Sequence, residues 1–447
     1  MRNYTGEFLH FYMGTRYEDF PEEALSLAKK HFLDCIGCAL AEVSQPRSDI
    51  FQRYLGDIAS TGDCRILGKG RKTTVENAAF ATGILAHTIC FDDSGPSHPS
   101  VTIVPGLVAL GEKYHLSGKK LLSAQILSYD LFQRLNKITG EAWDMRVRGW
   151  HPSGFFGAVV GAAQTSRLLG LDEATAARAM GIAASMGAGL SQNIGNMSMG
   201  LHAGNASRNG ITAALLAKEG FTADPQPLEG RFGMLDALAG PGAYAIDWLI
   251  KDLGNPFMLV NPGITIKPYP NCWAHHKVLQ AVLEMKAEHQ IDADDVKAVY
   301  VDLQKSKPTY RYLLPETDLE ARYSLGYGIA VALLDGELTL KQYKDDRICS
   351  EPVRDMIARI VDTPANDPVA QQTVKIVLKD GREFSKRVEF SKGHPLYDPM
   401  TIDETVEKFR LQASMILTES AVERAIDQIL HLDEVDDFSK VMDTLIM

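Results

Sequence analysis

Between residues 21 and 41, apolar side chains fall at Leu25, Ala28, Phe32, Ile36 and Ala39, the spacing of one face of an amphipathic helix, and Pro21 stands where a helix accepts proline, at its start. Helical periodicity continues to about residue 250. Much of it is rich in small residues, as in Gly157-Ala158-Val159-Val160-Gly161-Ala162-Ala163 and Gly181-Ile182-Ala183-Ala184, which predicts helices whose backbones approach closely. After about residue 290 the period changes: Val299, Val301 and Leu303 alternate with Tyr300, Asp302 and Gln304, a strand pattern. Val374, Ile376 and Leu378 lead to Asp380-Gly381, a favoured turn pair, and Phe384, Val388 and Phe390 carry the alternation out again as a hairpin. Between these stretches, Tyr323 to Leu334 predicts a buried helix stopped by Gly336. Beyond Pro399 the pattern is helical again, over Asp403 to Arg410 and then past Ser420-Ala421-Val422-Glu423, which predicts a capping box. The architecture expected is mostly α with a smaller α+β part.

Composition fits a soluble globular chain: 447 residues, 45% hydrophobic and 23% charged. With 46 basic against 57 acidic residues the formal charge is −11, which argues against nucleic acid and anionic membranes as partners but leaves a locally cationic pocket for a small anion open. The first residues lack the apolar core of a signal peptide and no run approaches roughly 18 apolar residues, so a cytoplasmic location is expected. Six cysteines spread this thinly are no disulfide framework; Cys35 and Cys38 have C-x-x-C spacing but fall within a helical pattern, as buried thiols would.

The densest chemistry lies in Ala86-His87-Thr88-Ile89-Cys90-Phe91-Asp92-Asp93-Ser94-Gly95-Pro96-Ser97-His98-Pro99-Ser100. Proline at 99 biases His98 toward an extended, loop-borne conformation, and His151-Pro152 repeats the device. A histidine titrating near neutrality can take and return a proton, and Asp92 and Asp93 could orient or charge it. A surface loop whose aspartates cap a helix would hold the same residues. Arg146 and Arg148 beside Trp150 and His151 suggest a carboxylate-binding wall, or else arginines paired within the fold. In the glycine-rich stretch 185–210, neither a dinucleotide nor a P-loop spacing occurs. His202, Asn205 and Arg208 are expected just before a helix, where backbone amides hold an anion, unless the turn is purely structural. Asn271 is a natural N-cap that would put Cys272 in a first helical turn, favouring its thiolate and a neutral His275; packing explains the same stretch. Tyr323 and Tyr327 could supply a phenolic proton donor or fill the core. No cluster shows metal-ligand count and spacing, so a metal-independent reaction is expected.

Taken in order, Asn77-Ala78-Ala79-Phe80-Ala81-Thr82-Gly83, Ala86-His87, Phe91-Asp92-Asp93, His98-Pro99-Ser100, Gly149-Trp150-His151-Pro152, Leu201 to Gly210, Lys267-Pro268-Tyr269-Pro270-Asn271-Cys272, Gly393-His394-Pro395 and Asp398-Pro399-Met400 resemble the MmgE/PrpD family, which includes 2-methylcitrate dehydratase, cis-aconitate decarboxylase and iminodisuccinate epimerase. The resemblance implies a large helical domain, 1–262 with 400–447, an inserted α+β lid domain, 263–399, a homodimer, an active site between the domains and no cofactor. It places His98, His151, Lys267 and Tyr327 at site positions. Two positions depart from the family pattern: Cys90 stands where Asp is common, and Met199 where many members carry Lys. Losing that ammonium removes a group that would hold a substrate carboxylate, so a tricarboxylate is a less secure substrate.

The function expected is a lyase, a dehydratase or decarboxylase, acting on a small carboxylic acid. Lys267 and Arg148 hold the carboxylate, His98 exchanges the substrate's proton while Asp93 orients it, and His151 and Tyr327 assist the leaving group. His202, Arg208, Cys272, Cys90 and Met199 would border the substrate. An epimerase or isomerase of a small dicarboxylic acid differs only in the fate of the intermediate, and a catalytically silent, metabolite-binding member is the remaining alternative.

Overall fold

The computed structural model describes residues 2–58, 61–95, 97–140, 145, 148–304, 310–367 and 370–447. The chain divides into two compact units, one of Met1–Ser191, Ser198–Ile266 and Thr401–Met447, the other of Gln192–Met197 and Lys267–Met400.

The first unit is built of helices. Pro21 is the N-cap of Glu22–Val43, whose second half is buried on every side, and Cys35 and Cys38 lie there as free thiols whose acidity burial suppresses. The Ser198–Lys218 helix packs on both Val75–Thr88 and Pro152–Leu168 through glycine. A Cβ on Gly83 would lie 2.8 Å from the Gly204 Cα, and one on Gly210 would lie 2.7 Å from the Gly161 Cα. Only backbones without side chains approach that closely, so the small-residue stretches work as helix contacts. Two short strands, β1 (Cys64–Arg65) and β2 (Lys72–Thr73), pair antiparallel at its edge. The C-terminal helices Ile402–Ala413 and Glu419–Leu430 complete this unit. Their caps differ from the expected one: Thr401 and Glu404 form a capping box, while Thr418, not Ser420, caps the second helix by accepting from the Ala421 amide.

The second unit holds a four-stranded sheet of β3 (Val296–Val301), β4 (Ile360–Asp362), β5 (Thr373–Leu378) and β6 (Glu383–Arg387), ordered β4-β3-β5-β6. β3 pairs parallel with β4 and antiparallel with β5, and β5–β6 is the expected hairpin, with Gly381 at φ +92° in its turn, although β6 ends at Arg387 and leaves Val388 and Phe390 beyond the strand. The helices His276–His289 and Leu325–Asp335 pack beside the sheet, the latter ending at Gly336 in the left-handed conformation. That helix begins at Ser324, its N-cap, so Tyr323 lies outside it and does not share a helical face with Tyr327. Among the described residues no helix is long and apolar enough to cross a membrane.

Candidate active site: a buried histidine cluster in the helical unit

The Val75–Thr88 helix ends in a turn in which Cys90 adopts φ +53°, a conformation that costs a residue with a Cβ, and its amide donates to the His87 carbonyl. The chain then runs through Phe91, Asp92 and Asp93. Three contacts hold this loop. Lys408, from the Ile402–Ala413 helix, donates to the Phe91 carbonyl at 2.7 Å, lies 3.9 Å from the Phe91 ring centroid and pairs with Asp34 at 2.6 Å. Ser94 and Thr265 exchange backbone hydrogen bonds. Ser97 meets Ser153 hydroxyl to hydroxyl at 2.7 Å, and the His98 amide donates to the same Ser153 oxygen.

Asp92 and Asp93 face opposite ways. Fully buried Asp92 places Oδ2 at 2.8 Å from Nδ1 of His98 and 3.2 Å from Nδ1 of His87. Asp93, expected to serve His98, sends its carboxylate to the Ser100 hydroxyl and amide and toward His31, and meets His98 only through its main-chain carbonyl, 2.8 Å from Nδ1. With acceptors gathered at Nδ1, His98 and His87 each carry hydrogen there. The Asp92 carboxylate thus lies directly behind His98, whose chain continues into the N-terminus of the Ser100–Lys113 helix.

His151 is the N-cap of Pro152–Leu168, in extended conformation with proline next, as the sequence predicts. Its backbone is fixed by the His151 amide on the Gly189 carbonyl and the Ser191 amide on the Gly149 carbonyl. The ring stacks on His87 at 5.5 Å, lies 6.2 Å from His98, and meets His202 Nδ1 to Nδ1 at 3.1 Å. Burial, with the charge of His87 adding to it, pushes His202 down to about 4, so this ring is neutral at physiological pH.

The placement of His202 corrects the expected anion site. The helix already begins at Ser198, so His202, Asn205 and Arg208 lie inside it, where backbone amides donate to the helix's own carbonyls. Arg208 instead donates to Asn205 and covers the Phe80 ring. Met199 is buried in the first turn of that helix. Arg148 is exposed and donates to the Leu238 carbonyl; Arg146, its expected companion, lies outside the described residues.

In the second unit Lys267 is fully buried. Cys272 is an N-cap, not a first-turn residue: a short 3-10 turn, Trp273–His275, precedes the helix that starts at His276. Asn271 caps nothing; its amide joins His275 Nδ1 to the Tyr343 hydroxyl. Tyr327 is fully enclosed, its hydroxyl donates to the Gln342 carbonyl, and burial raises its pKa further, so it stays protonated as a core phenol.

The cluster in the helical unit is therefore His87, Asp92, His98, His151 and His202. Sequence reasoning singled out His98, His151 and His202 but gave no role to His87, on a helix face eleven residues before His98. Among the described residues, His87, Asp92 and His98 also offer three donor atoms within 4.8 Å of one another. Two imidazoles and a carboxylate are donors that a divalent transition metal accepts, although here both Nδ1 atoms already lie at hydrogen-bond distance from the carboxylate.

Family models cover both parts of the chain: the MmgE/PrpD N-terminal domain matches residues 6–247, more than half of it, and the MmgE/PrpD C-terminal domain matches 269–434. The chain belongs to the MmgE/PrpD family. Among curated relatives it is 28% identical to the human cis-aconitate decarboxylase, over all of this chain and 95% of that protein. It is 26% identical to the cis-aconitate decarboxylase of Aspergillus terreus, covering 99% and 95%, and 26% identical to that of Mus musculus, covering 98% and 92%.

Proposed function

We propose that this MmgE/PrpD member is a lyase that acts on a small carboxylic acid by moving a proton at the carbon next to a carboxylate. The observation that carries the reading is the buried meeting of the two histidine-proline segments: His98 on Asp92, His151 on His202, with the rings 6.2 Å apart. Support also comes from the relatives, all named for cis-aconitate decarboxylation or likeness to it. In the proposed step His98 Nε2 takes the proton, and the electron pair left on carbon delocalises into the adjacent carboxylate. Expulsion of a β-hydroxyl group, protonated by His151 as it leaves, gives the alkene and water. In a decarboxylation the carboxylate's C–C bond breaks instead, carbon dioxide leaves, and the electron pair collects a proton from a histidine. Lys267, at a position that the resemblance associates with the site, is the group proposed to hold the carboxylate.

Proton NMR of a panel in deuterated water (2-methylcitrate, citrate, cis-aconitate, iminodisuccinate and simpler hydroxy acids) tests the reading with wild type beside His98→Ala. The expected result is deuterium entering the carbon next to a carboxylate in wild type only, with an alkene or decarboxylated product. Recovery of the starting acid with inverted configuration would replace the lyase by an epimerase. No exchange into any acid by folded protein would sink the proton-transfer reading.

A further inference from the structure

Two ring nitrogens that face each other at 3.1 Å, Nδ1 of His151 and Nδ1 of His202, hold one hydrogen between them. Either ring could own it. Both are buried, at 2% and 6% exposure, so water does not exchange the roles freely. The proton-transfer reading decides between the two arrangements, and the inference rests on it. If His202 donated, a neutral His151 would accept at Nδ1 and carry its hydrogen at Nε2; becoming an imidazolium would then require His202 to turn away or change tautomer. If His151 donates, the same hydrogen bond serves both of its states, because neutral and charged rings alike keep Nδ1–H and the travelling proton is carried at Nε2. We propose that His202 is a positioning residue that holds its hydrogen at Nε2 and, by accepting from His151 Nδ1–H, fixes the tautomer in which His151 exchanges protons.

The segment at Gly189 helps hold His202 in place. A Cβ on Gly189 would lie 3.1 Å from the His202 ring, so the chain that receives the His151 amide also closes one side of that ring. Burial keeps His202 uncharged, which leaves its Nδ1 lone pair present wherever His151 titrates. The titratable groups facing the pair include His87, from the Val75–Thr88 helix, and His98 with Asp92 behind it, from the following loop. His98 thus works against a carboxylate and His151 against a neutral imidazole.

Histidine-selective 15N labelling of the full chain, with long-range 1H–15N spectra, reads the tautomer without activity; His151 is assigned by its loss in His151→Gln. Wild type is expected to show His151 protonated at Nδ1 and His202 at Nε2. His202→Asn, whose amide oxygen can accept in place of Nδ1, keeps the His151 tautomer. His202→Leu mixes the tautomers and slows deuterium exchange by about ten- to a hundred-fold, the size of effect that outer partners of working imidazoles have. His202→Asp puts a carboxylate behind His151 and moves its limb of the pH–rate profile up by about one pH unit or more. An Nε2–H tautomer for His151 in wild type overturns the proposal, as does an unchanged tautomer in His202→Leu. If the Leu variant fails to fold, the wild-type spectrum and the Asp variant's profile still decide. A locked His151 tautomer in a protein that exchanges no acid supports the lock and overturns the proton-transfer reading.

Discussion

His98-Pro99 and His151-Pro152 are the same local device, a histidine followed by proline at the start of a helix, yet the fold backs them differently. Behind His98 is the fully buried carboxylate of Asp92, on a loop anchored by Lys408. Behind His151 is a neutral imidazole, on a backbone held by main-chain hydrogen bonds to 189–191. In the proposed reaction the ring on the carboxylate is the group that takes a proton from carbon, and the ring on the neutral imidazole is the group that gives one. A site that must do both can separate the tasks by what stands behind each ring.

Removing the charge behind His98 should have the largest effect. Asp92→Asn keeps the shape and deletes the anion, and deuterium exchange is expected to fall by about 10²–10⁴-fold, the span of one general acid–base group. That loss should exceed the one in His202→Leu when both are measured by NMR under the same conditions. Equal losses would mean that the two backings are equivalent and the division of labour is wrong.

Lys408 tests the anchor of the His98 side. It and Asp34 are both buried, and burial pushes the Asp34 carboxyl up although Lys408 draws it down. Lys408→Met leaves Asp34 unpaired and should cost about 3–5 kcal/mol in urea unfolding, while Lys408→Met combined with Asp34→Leu should recover most of that loss. A single-variant cost under about 1 kcal/mol would remove Lys408 from the account of how the loop is held.

The His151 side carries its own pH signature. His202 has an ordinary pKa of 6.5 when exposed and is held near 4 in the fold. The unfolded chain therefore binds this proton more readily, so the contribution is fully present above about pH 6.5 and is lost as pH falls toward 4. Its size is on the order of 3 kcal/mol at most. Urea midpoints measured from pH 7 to pH 4 should fall more steeply for wild type than for His202→Asn; parallel curves would show that His202 is not held neutral.

Much of this was legible in the sequence because it depends on neighbours along the chain. Proline after histidine, the Asp380-Gly381 turn, Gly336 at a helix end and the change of period after residue 290 all act locally. The choice between Asp92 and Asp93 was not legible: adjacent side chains point apart, and only the arrival of His87 on one side and Ser100 and His31 on the other assigns them. His202 was misplaced for a related reason. Glycines at 200, 204 and 210 read locally as a turn, whereas in the fold they admit neighbouring helix backbones, a property of the partner helix. Residue type likewise says nothing of the carbonyls of Gln342 and Leu238, distant in sequence, to which the Tyr327 phenol and the Arg148 guanidinium donate.

Gly204 gives the smallest expected effect and the finest test of the comparison, because it lies two residues beyond His202 on the helix that carries it. An alanine Cβ there would fall 2.6 Å from the Phe80 carbonyl oxygen and 2.7 Å from Ile84 Cγ1. The carbonyl belongs to the facing helix and cannot rotate aside, so the helices must part. Overpacking of this kind costs about 1–3 kcal/mol, against roughly 1 kcal/mol gained from alanine's helix propensity; a net loss of about 1–2 kcal/mol follows. Gly14, at the end of the first helix with nothing within 4 Å of its Cβ position, is the control, and Gly14→Ala should be neutral or slightly stabilising. Parting those helices carries His202 away from His151 while leaving Asp92 on His98. Gly204→Ala should therefore loosen the His151 tautomer in the 15N spectrum and leave the Nδ1 hydrogen of His98 in place. Equal disturbance of both rings would show that the two histidines share one rigid frame and are not backed independently.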